Sequence, residues 1–159
     1  MVPVRKKNSD IRLCFDFRNL NKSSEKDNYL VPPMEQILQN VSGSEILSLL
    51  DGFSGYNQIL VSPDDQLKMD FRTPWGTYAY RKIPFGLINA GATFQRAMDI
   101  AFRGLINHSV VVYLDEITAF SKCRHDHINH LGKLFERSRK FGVSLNPKKT
   151  IFVVSEGIY

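Results

Sequence analysis

An α+β domain is the fold class that the sequence predicts, and three observations predict it. Strand-length apolar runs occur along the whole chain, two longer segments carry apolar stripes at helical spacing, and the two kinds of segment are mixed in order. No repeat, linker or low-complexity stretch divides the 159 residues, so one domain with one sizeable core is expected.

Arg5 to Asp10 reads as a basic hairpin turn leading into "IRLCFDF", where Ile11, Leu13, Phe15 and Phe17 alternate with Arg12, Cys14 and Asp16 as in a half-buried strand. The polar stretch from Asn19 to Asn28 reads as loop, and "VPPMEQILQNV" as a short helix opened by prolines. "SEILSLLD" is a buried strand ending at Asp51, after which "GFSGYNQI" turns the chain. One or two helical turns fit Pro63 to Met69, and "MDFRTPWGTYAYRKI" reads as a hairpin turning at Pro74, Trp75 and Gly76. A longer helix is expected from about Ala90 to Ile106, N-capped by Asn89, with Phe94, Met98, Ile100, Ala101 and Leu105 as its stripe. Val110 to Tyr113 and Ile117 to Phe120 would be strands on either side of two acids. A last helix from Asp126 to Phe141 sets Ile128, Leu131, Leu134 and Phe135 on one side and stops at Gly142, and "SLNPKKTIFVV" closes the chain as a hairpin.

Composition narrows the partners. An excess of 21 Lys+Arg over 16 Asp+Glu gives a formal charge of +5, which favours polyanions. Cys14 and Cys123 stand far apart outside any CxxC spacing, which argues against a disulfide or zinc framework and for a reducing compartment. No run has the length of a membrane span and the start lacks the apolar core of a signal peptide. The chain therefore reads as soluble and intracellular with no membrane partner, a cytoplasmic particle and the nucleus being indistinguishable. The histidines of "HDHINHL" have no matching Cys or acid pattern and read as a polar helix face.

The acids raise the chemical question. Asp51 ends one buried strand, Asp115 and Glu116 sit at a turn between two others, and the central strands of one small sheet would bring all three together. Clustered carboxylates repel unless a cation neutralises them, and hard divalent ions with oxygen ligands are their natural partners. Paired Mg²⁺ ions are a known device for in-line phosphoryl displacement. By itself an Asp-Glu pair at a turn is more often plain solvated surface.

The surrounding blocks carry more information. "CFDFRNLN" (14–21), "LLDGFSGYNQI" (49–59), "FRTPWGTYAYRKIPFGLINAGATFQRAMD" (71–99) and "VVYLDEI" (111–117) resemble, in order and spacing, the fingers and palm of the reverse transcriptases of gypsy-type LTR retrotransposons. "GVSLNPKKTIF" (142–152) is similar to the palm segment that follows. The resemblance implies a single truncated reverse transcriptase domain, with a small antiparallel palm sheet backed by helices and no thumb. Residues 1–50 and 62–90 would be roughly fingers-like, and 51–61 and 91–159 palm-like. It also implies RNA- or DNA-templated DNA polymerisation on a template-primer with dNTPs and two Mg²⁺ ions, Mn²⁺ being an alternative. Other segments of a retroelement polyprotein would be further partners.

Residue by residue, the resemblance makes Asp51 and Asp115 the metal-holding carboxylates, Asp115 in the third place of a Tyr-x-Asp-Asp hairpin, with Glu116 beside them. Lys6 and Arg12 match triphosphate-contacting positions, where a point charge and a guanidinium fork suit phosphate oxygens. Backbone N–H groups of Phe53, Ser54 and Gly55 would add phosphate donors. Tyr56 matches the bulky residue under the sugar, and Phe85 and Gly86 the segment flanking the incoming base and template. Gln95 and Arg96 lie on the helix that faces the template, and Tyr113 and Leu114 match positions near the primer end.

Three departures stand out. Glu116 replaces the second hairpin Asp, and its extra methylene carries the carboxylate about 1 to 1.5 Å outward, comparable with the tolerance of an octahedral Mg²⁺ shell. Gly91 replaces the proline of "NAPATF", and Ser9 stands where the basic hairpin usually turns on glycine. The chain starts a few residues before the basic hairpin and stops near the primer-grip segment, which reads as a retroelement-derived fragment. Two functions of different class follow: a fingers-palm DNA polymerase core, and a non-catalytic retroelement remnant that binds nucleic acid or protein.

Overall fold

The computed structural model describes residues 2–5 and 11–154. Lys6, Ser9 and the turn of the basic hairpin lie outside the described residues. In chain order the elements begin with β1 (Val2–Arg5), β2 (Ile11–Cys14), α1 (Arg18–Ser23), α2 (Met34–Val41), β3 (Ile46–Asp51), α3 (Pro63–Gln66), β4 (Phe71–Thr73) and β5 (Gly76–Tyr78). They continue with α4 (Ala90–Ala101), β6 (Val110–Tyr113), β7 (Glu116–Ser121), α5 (His127–Phe141) and β8 (Ile151–Val154). Helices and small antiparallel sheets are mixed, as the α+β reading requires. The chain forms two compact units, the described part of 1–28 with Tyr56–Gly91, and Tyr29–Gly55 with the described part of 92–159.

The first unit holds two antiparallel ribbons, β1 with β2 and β4 with β5, the second turning at Pro74 and Trp75. Phe15 gathers Phe71 and Tyr80 at ring-centroid distances of 4.4 and 5.3 Å. Ile11 and Leu13, expected on a buried face, are instead 65% and 54% exposed. Residues 19–23, read as loop, belong to α1: Asp16 accepts from the Arg18 amide at 3.1 Å and holds its guanidinium, a local polar start that apolar periodicity does not register. Asn89 does not cap α4. Its side chain accepts from the Asp27 amide at 2.9 Å and donates to the Glu25 carbonyl at 2.8 Å, tying down the 25–27 segment.

The second unit is built on an antiparallel sheet in the order β6-β7-β3-β8. Cross-strand partners Ile46–Ser121, Ser48–Ala119 and Leu50–Ile117 share one face, and all six are buried. Helix α5 reaches that face through His127, whose ring nitrogens lie 2.8 Å from Ser48 Oγ and 2.8 Å from Ser121 Oγ. His127 is only 2% exposed, so the polar-surface reading is corrected for this histidine, while His125 is exposed as that reading requires. The buried side of α5 runs through His127, Leu134 and Ser138, which leaves Ile128 79% exposed. The helix ends at Gly142 with φ 69, as expected.

Two further boundaries differ from expectation. Helix α4 stops at Ala101, where a series of turns begins. Residues 144–154 form no hairpin: Leu145 bridges Gly52 and β8 pairs with β3, so both lie on one edge of β3 with Asn146–Thr150 looping out between them. Among the described residues no helix is long and apolar enough to cross a membrane. Cys14 and Cys123 are both free.

Candidate active site

The three acids are carried by backbone segments that adjoin: the end of β3, the turn between β6 and β7, and the start of β7. Asp51 is the last residue of β3 and its cross-strand partner is Glu116, the first of β7. Between β6 and β7 runs a two-residue turn, Leu114–Asp115, closed by the Tyr113–Glu116 pair. Leu114 adopts φ 54, a left-handed conformation that costs a non-glycine residue about 1–2 kcal/mol. The Asp115 carbonyl accepts from the Gly52 amide at 2.8 Å, which fastens this turn to the one after β3. Gly55, at φ +27, completes the approach: a Cβ there would lie 3.1 Å from Asp115 Cβ, so only glycine lets Asp115 lie so close.

The carboxylates are in different electrostatic surroundings. Lys149 Nζ lies 3.3 and 3.2 Å from the two oxygens of Asp51, and Asn146 Nδ2 donates to the same carboxylate at 3.3 Å. Both residues come from the loop between Leu145 and β8, anchored where the Asn146 amide donates to the Asp51 carbonyl at 2.8 Å. Asp51 and Glu116 line a cavity of about 300 Å³ together with Lys149, Thr118 and Ile151. Asp115 lies against Gly55 instead. Among the described residues, no three His, Cys, Asp or Glu side chains are gathered as ligands of a single ion. The donor chemistry fits a hard divalent cation nonetheless, since Asp51, Asp115 and Glu116 offer carboxylate oxygens, and a cationic ammonium already rests on Asp51.

The remaining candidates divide between the units. In the second, the Phe53 amide is donated to the Ser144 carbonyl at 2.9 Å and the Gly55 amide to the Gly52 carbonyl at 3.3 Å. Those two N–H groups are committed, which corrects the expected three-amide phosphate cradle and leaves Ser54, itself at φ 57. Gln95 is corrected too: it is 1% exposed and turned inward, so its side chain is not offered to a template strand. It donates to Asp99 Oδ1 at 3.1 Å and to the Val112 carbonyl at 3.4 Å, and accepts from the Leu114 amide at 3.4 Å. Arg96 is exposed, with its guanidinium 4.7 Å from the centre of the Tyr29 ring. Tyr113 and Leu114 are half-buried.

In the first unit Tyr56 meets Phe85 edge-on, with ring centroids 5.4 Å apart. Gly86 takes φ 102 and its carbonyl accepts from Asn21 Nδ2 at 2.8 Å. Arg12 is paired with Val4 in the β1–β2 ribbon. Residue-level reading missed Lys149, Asn146 and the Tyr29–Asp99 pair. The "NPKK" run holds a basic residue and an amide, but nothing in its spacing signals a return to Asp51.

Comparison with known proteins places these residues in context. The model of a family described as reverse transcriptase (RNA-dependent DNA polymerase) matches residues 4–159. The chain is 34% identical over 145 residues to the retrovirus-related Pol polyprotein from transposon gypsy of Drosophila melanogaster, a match covering 91% of this chain and 14% of that protein. It is also 34% identical over 134 residues to an RNA-directed DNA polymerase homolog of Oenothera berteroana, covering 82% of this chain and 94% of that protein. A foamy viral protease-reverse transcriptase solved in complex with double-stranded DNA superposes with a TM-score of 0.88 at 22% identity, over 99% of this chain and 27% of that one. The chain thus spans about one seventh of the length of the gypsy-type polyprotein, and its fold is that of the viral enzyme.

Proposed function

Since the chain belongs to the reverse transcriptase (RNA-dependent DNA polymerase) family, we propose that its function is RNA- or DNA-templated addition of deoxynucleotides to a primer 3′-hydroxyl. The observation that carries this reading is that Asp51, Asp115 and Glu116 sit on adjoining backbone segments, the end of β3, the β6–β7 turn and the start of β7. Asp51 and Asp115, with Glu116 beside them, would hold two Mg²⁺ ions, or Mn²⁺ in their place. When bound, such ions lower the pKa of the attacking hydroxyl and neutralise the pyrophosphate leaving group.

The chain's own groups have separable parts in this reading. Arg12 and Lys6 neutralise the triphosphate, and the Ser54 amide donates to it. Tyr56 lies under the deoxyribose and excludes a 2′-hydroxyl by contact, while Phe85 and Gly86 border the base. Arg96 pairs with template phosphate, and Tyr113 and Leu114 support the primer end. The net charge of +5 supports a nucleic-acid partner. Other segments of a retroelement polyprotein are further partners, and residues 1–50 with 62–90 would act as fingers against a palm of 51–61 with 91–159.

Primer extension on RNA- and DNA-templated duplexes with Mg²⁺ and then Mn²⁺ tests the proposal. Asp115→Asn should abolish extension, and Glu116→Asp should raise its rate by returning the carboxylate inward. Extension that is missing from the wild type in both metals, or that survives Asp115→Asn, would refute it. A second reading, a non-catalytic retroelement remnant binding nucleic acid or protein, is favoured by the Lys149 ammonium already on Asp51. It requires salt-sensitive nucleic-acid binding that Asp115→Asn leaves nearly unchanged.

A further inference from the structure

We infer that Gln95 is a positioning residue that fixes the acid-bearing turn by standing in for the strand that β6 lacks. The inference rests on the reading of Asp115 as a cation-holding carboxylate and assigns the group that sets its backbone.

β6 is an edge of its sheet, with β7 on one side and, on the other, an isolated bridge from Ile106 to Val110 in place of a strand. In the register that pairs Tyr113 with Glu116, the Val110 and Val112 carbonyls and the Leu114 amide point away from β7. An edge leaves such groups unpaired unless something other than a strand covers them. Here Val110 accepts from the Asn107 amide at 2.8 Å. Val112 and Leu114 are both met by the one side-chain amide of Gln95, whose Nε2 donates to the Val112 carbonyl and whose Oε1 accepts from the Leu114 amide, each at 3.4 Å. That amide bridges the two peptide groups flanking Tyr113, as the backbone of a neighbouring strand would.

Its orientation is not free. The second hydrogen of Nε2 goes to Asp99 Oδ1 at 3.1 Å, and Asp99 Oδ2 accepts from the Tyr29 hydroxyl at 2.6 Å. A flipped amide would set its oxygen against the Asp99 carboxylate and the Val112 carbonyl, and its NH₂ against the Leu114 N–H. With Gln95 only 1% exposed, no solvent relieves that mismatch. Asp99, oriented by Tyr29, therefore dictates which end of Gln95 faces Leu114. Leu114 in turn holds the left-handed φ that carries the chain into Asp115.

Two readouts test this on the full 159-residue chain: amide hydrogen exchange by NMR without divalent ions, and Mn²⁺ titration. Gln95→Met keeps the volume and removes the clasp. It should speed exchange at Leu114 about tenfold, leave the β7 amides Thr118 and Phe120 as protected as before, and weaken Mn²⁺ binding about tenfold. Gln95→Glu should do the same, because it meets Asp99 with a second carboxylate. Gln95→Glu combined with Asp99→Asn rebuilds the acceptor for Leu114 with a donor behind it but leaves an oxygen against the Val112 carbonyl, and should return both readouts part of the way to wild type. That rescue comparison also serves if Gln95→Met does not fold.

Unchanged Leu114 exchange, equal loss of protection along β7, or full Mn²⁺ affinity after the clasp is lost would each overturn the inference. Wild type that binds no Mn²⁺, or binds it equally after Asp115→Asn, would sink the reading of the preceding subsection and this one with it. The two failures are distinguishable, because the second shows in the wild type and Asp115→Asn, with Gln95 unchanged.

Discussion

Replacing Gly55 by alanine perturbs the candidate site through one methyl group. The residue holds φ +27, and the new Cβ would meet Asp115 Cβ at 3.1 Å, Oδ2 at 3.6 Å and Cγ at 3.8 Å. Holding an L-residue on the left-handed side costs about 1–2 kcal/mol. Moving Asp115 away by a few tenths of an ångström adds about 0.5–1.5 kcal/mol in side-chain or backbone distortion. Gly55→Ala should thus cost about 1.5–3.5 kcal/mol, or about 3–14 °C in Tm for a chain of this size. Gly142→Ala is the matched control: Gly142 has φ +69 at the end of α5 with nothing within 4 Å of its Cβ position, so only the backbone cost applies. Urea unfolding of both variants, beside Mn²⁺ titration, separates the contributions. Gly55→Ala should lose more stability than Gly142→Ala and alone should weaken Mn²⁺ binding. Equal losses with Mn²⁺ affinity intact in both would refute the claim that Asp115 is placed by the missing side chain at Gly55.

Glu116→Gln removes one of two carboxylates that face each other across β3 and β7 and should stabilise the ion-free chain by about 0.5–1 kcal/mol. Urea midpoints with and without saturating Mn²⁺ check this, and the order should invert when the ion is present; a Glu116→Gln chain less stable without ions would contradict it. His127 supplies a pH dependence. Burial, with His130 beside it, lowers its pKa below the ordinary 6.5, so the unfolded chain takes up this proton first. Its contribution is complete above pH 6.5 and is lost as pH falls through the lower folded value, about 1.4 kcal/mol for each unit between the two. Urea midpoints across that window should fall with acid more steeply for wild type than for His127→Asn, and parallel curves would show that this ring carries no such linkage.

Strands β3, β6 and β7 were legible in the sequence because each is a largely apolar or β-branched run that its sheet buries on at least one face. The ordered motif blocks likewise located the three acids. What escaped was set by polar contacts between distant residues. Asn89 has the chemistry of an N-cap, yet spends both ends of its amide on Asp27 and Glu25. Gln95 and Arg96 are adjacent polar residues on one helix, but a turn of about 100° per residue puts one inside and one outside. Lys149 meets Asp51 only because Asn146–Thr150 loops out of an interrupted edge strand, and local periodicity carries no signal of such a loop. Ile11 and Leu13 alternate as buried residues do, while the ribbon that holds them leaves both exposed.

The way the acid-bearing turn is held explains how repelling carboxylates persist without ions. The backbone at two of the acids and at the residue before one of them is tied by a group outside its own β-ladder: the Asp51 carbonyl by the Asn146 amide, the Asp115 carbonyl by the Gly52 amide and the Leu114 amide by Gln95. Side-chain repulsion can therefore rotate the carboxylates but cannot relax the backbone that places them. Lys149 on Asp51 offsets part of the remaining charge, though as an exposed pair it contributes at most about 1 kcal/mol. Asp115 and Glu116 have no side-chain hydrogen bond or ion pair among the described residues, so their oxygens keep their acceptor capacity. A turn fixed by its backbone with carboxylate oxygens uncommitted is organised before any cation arrives, and the strain at Leu114 and the repulsion between acids are what that organisation costs the fold.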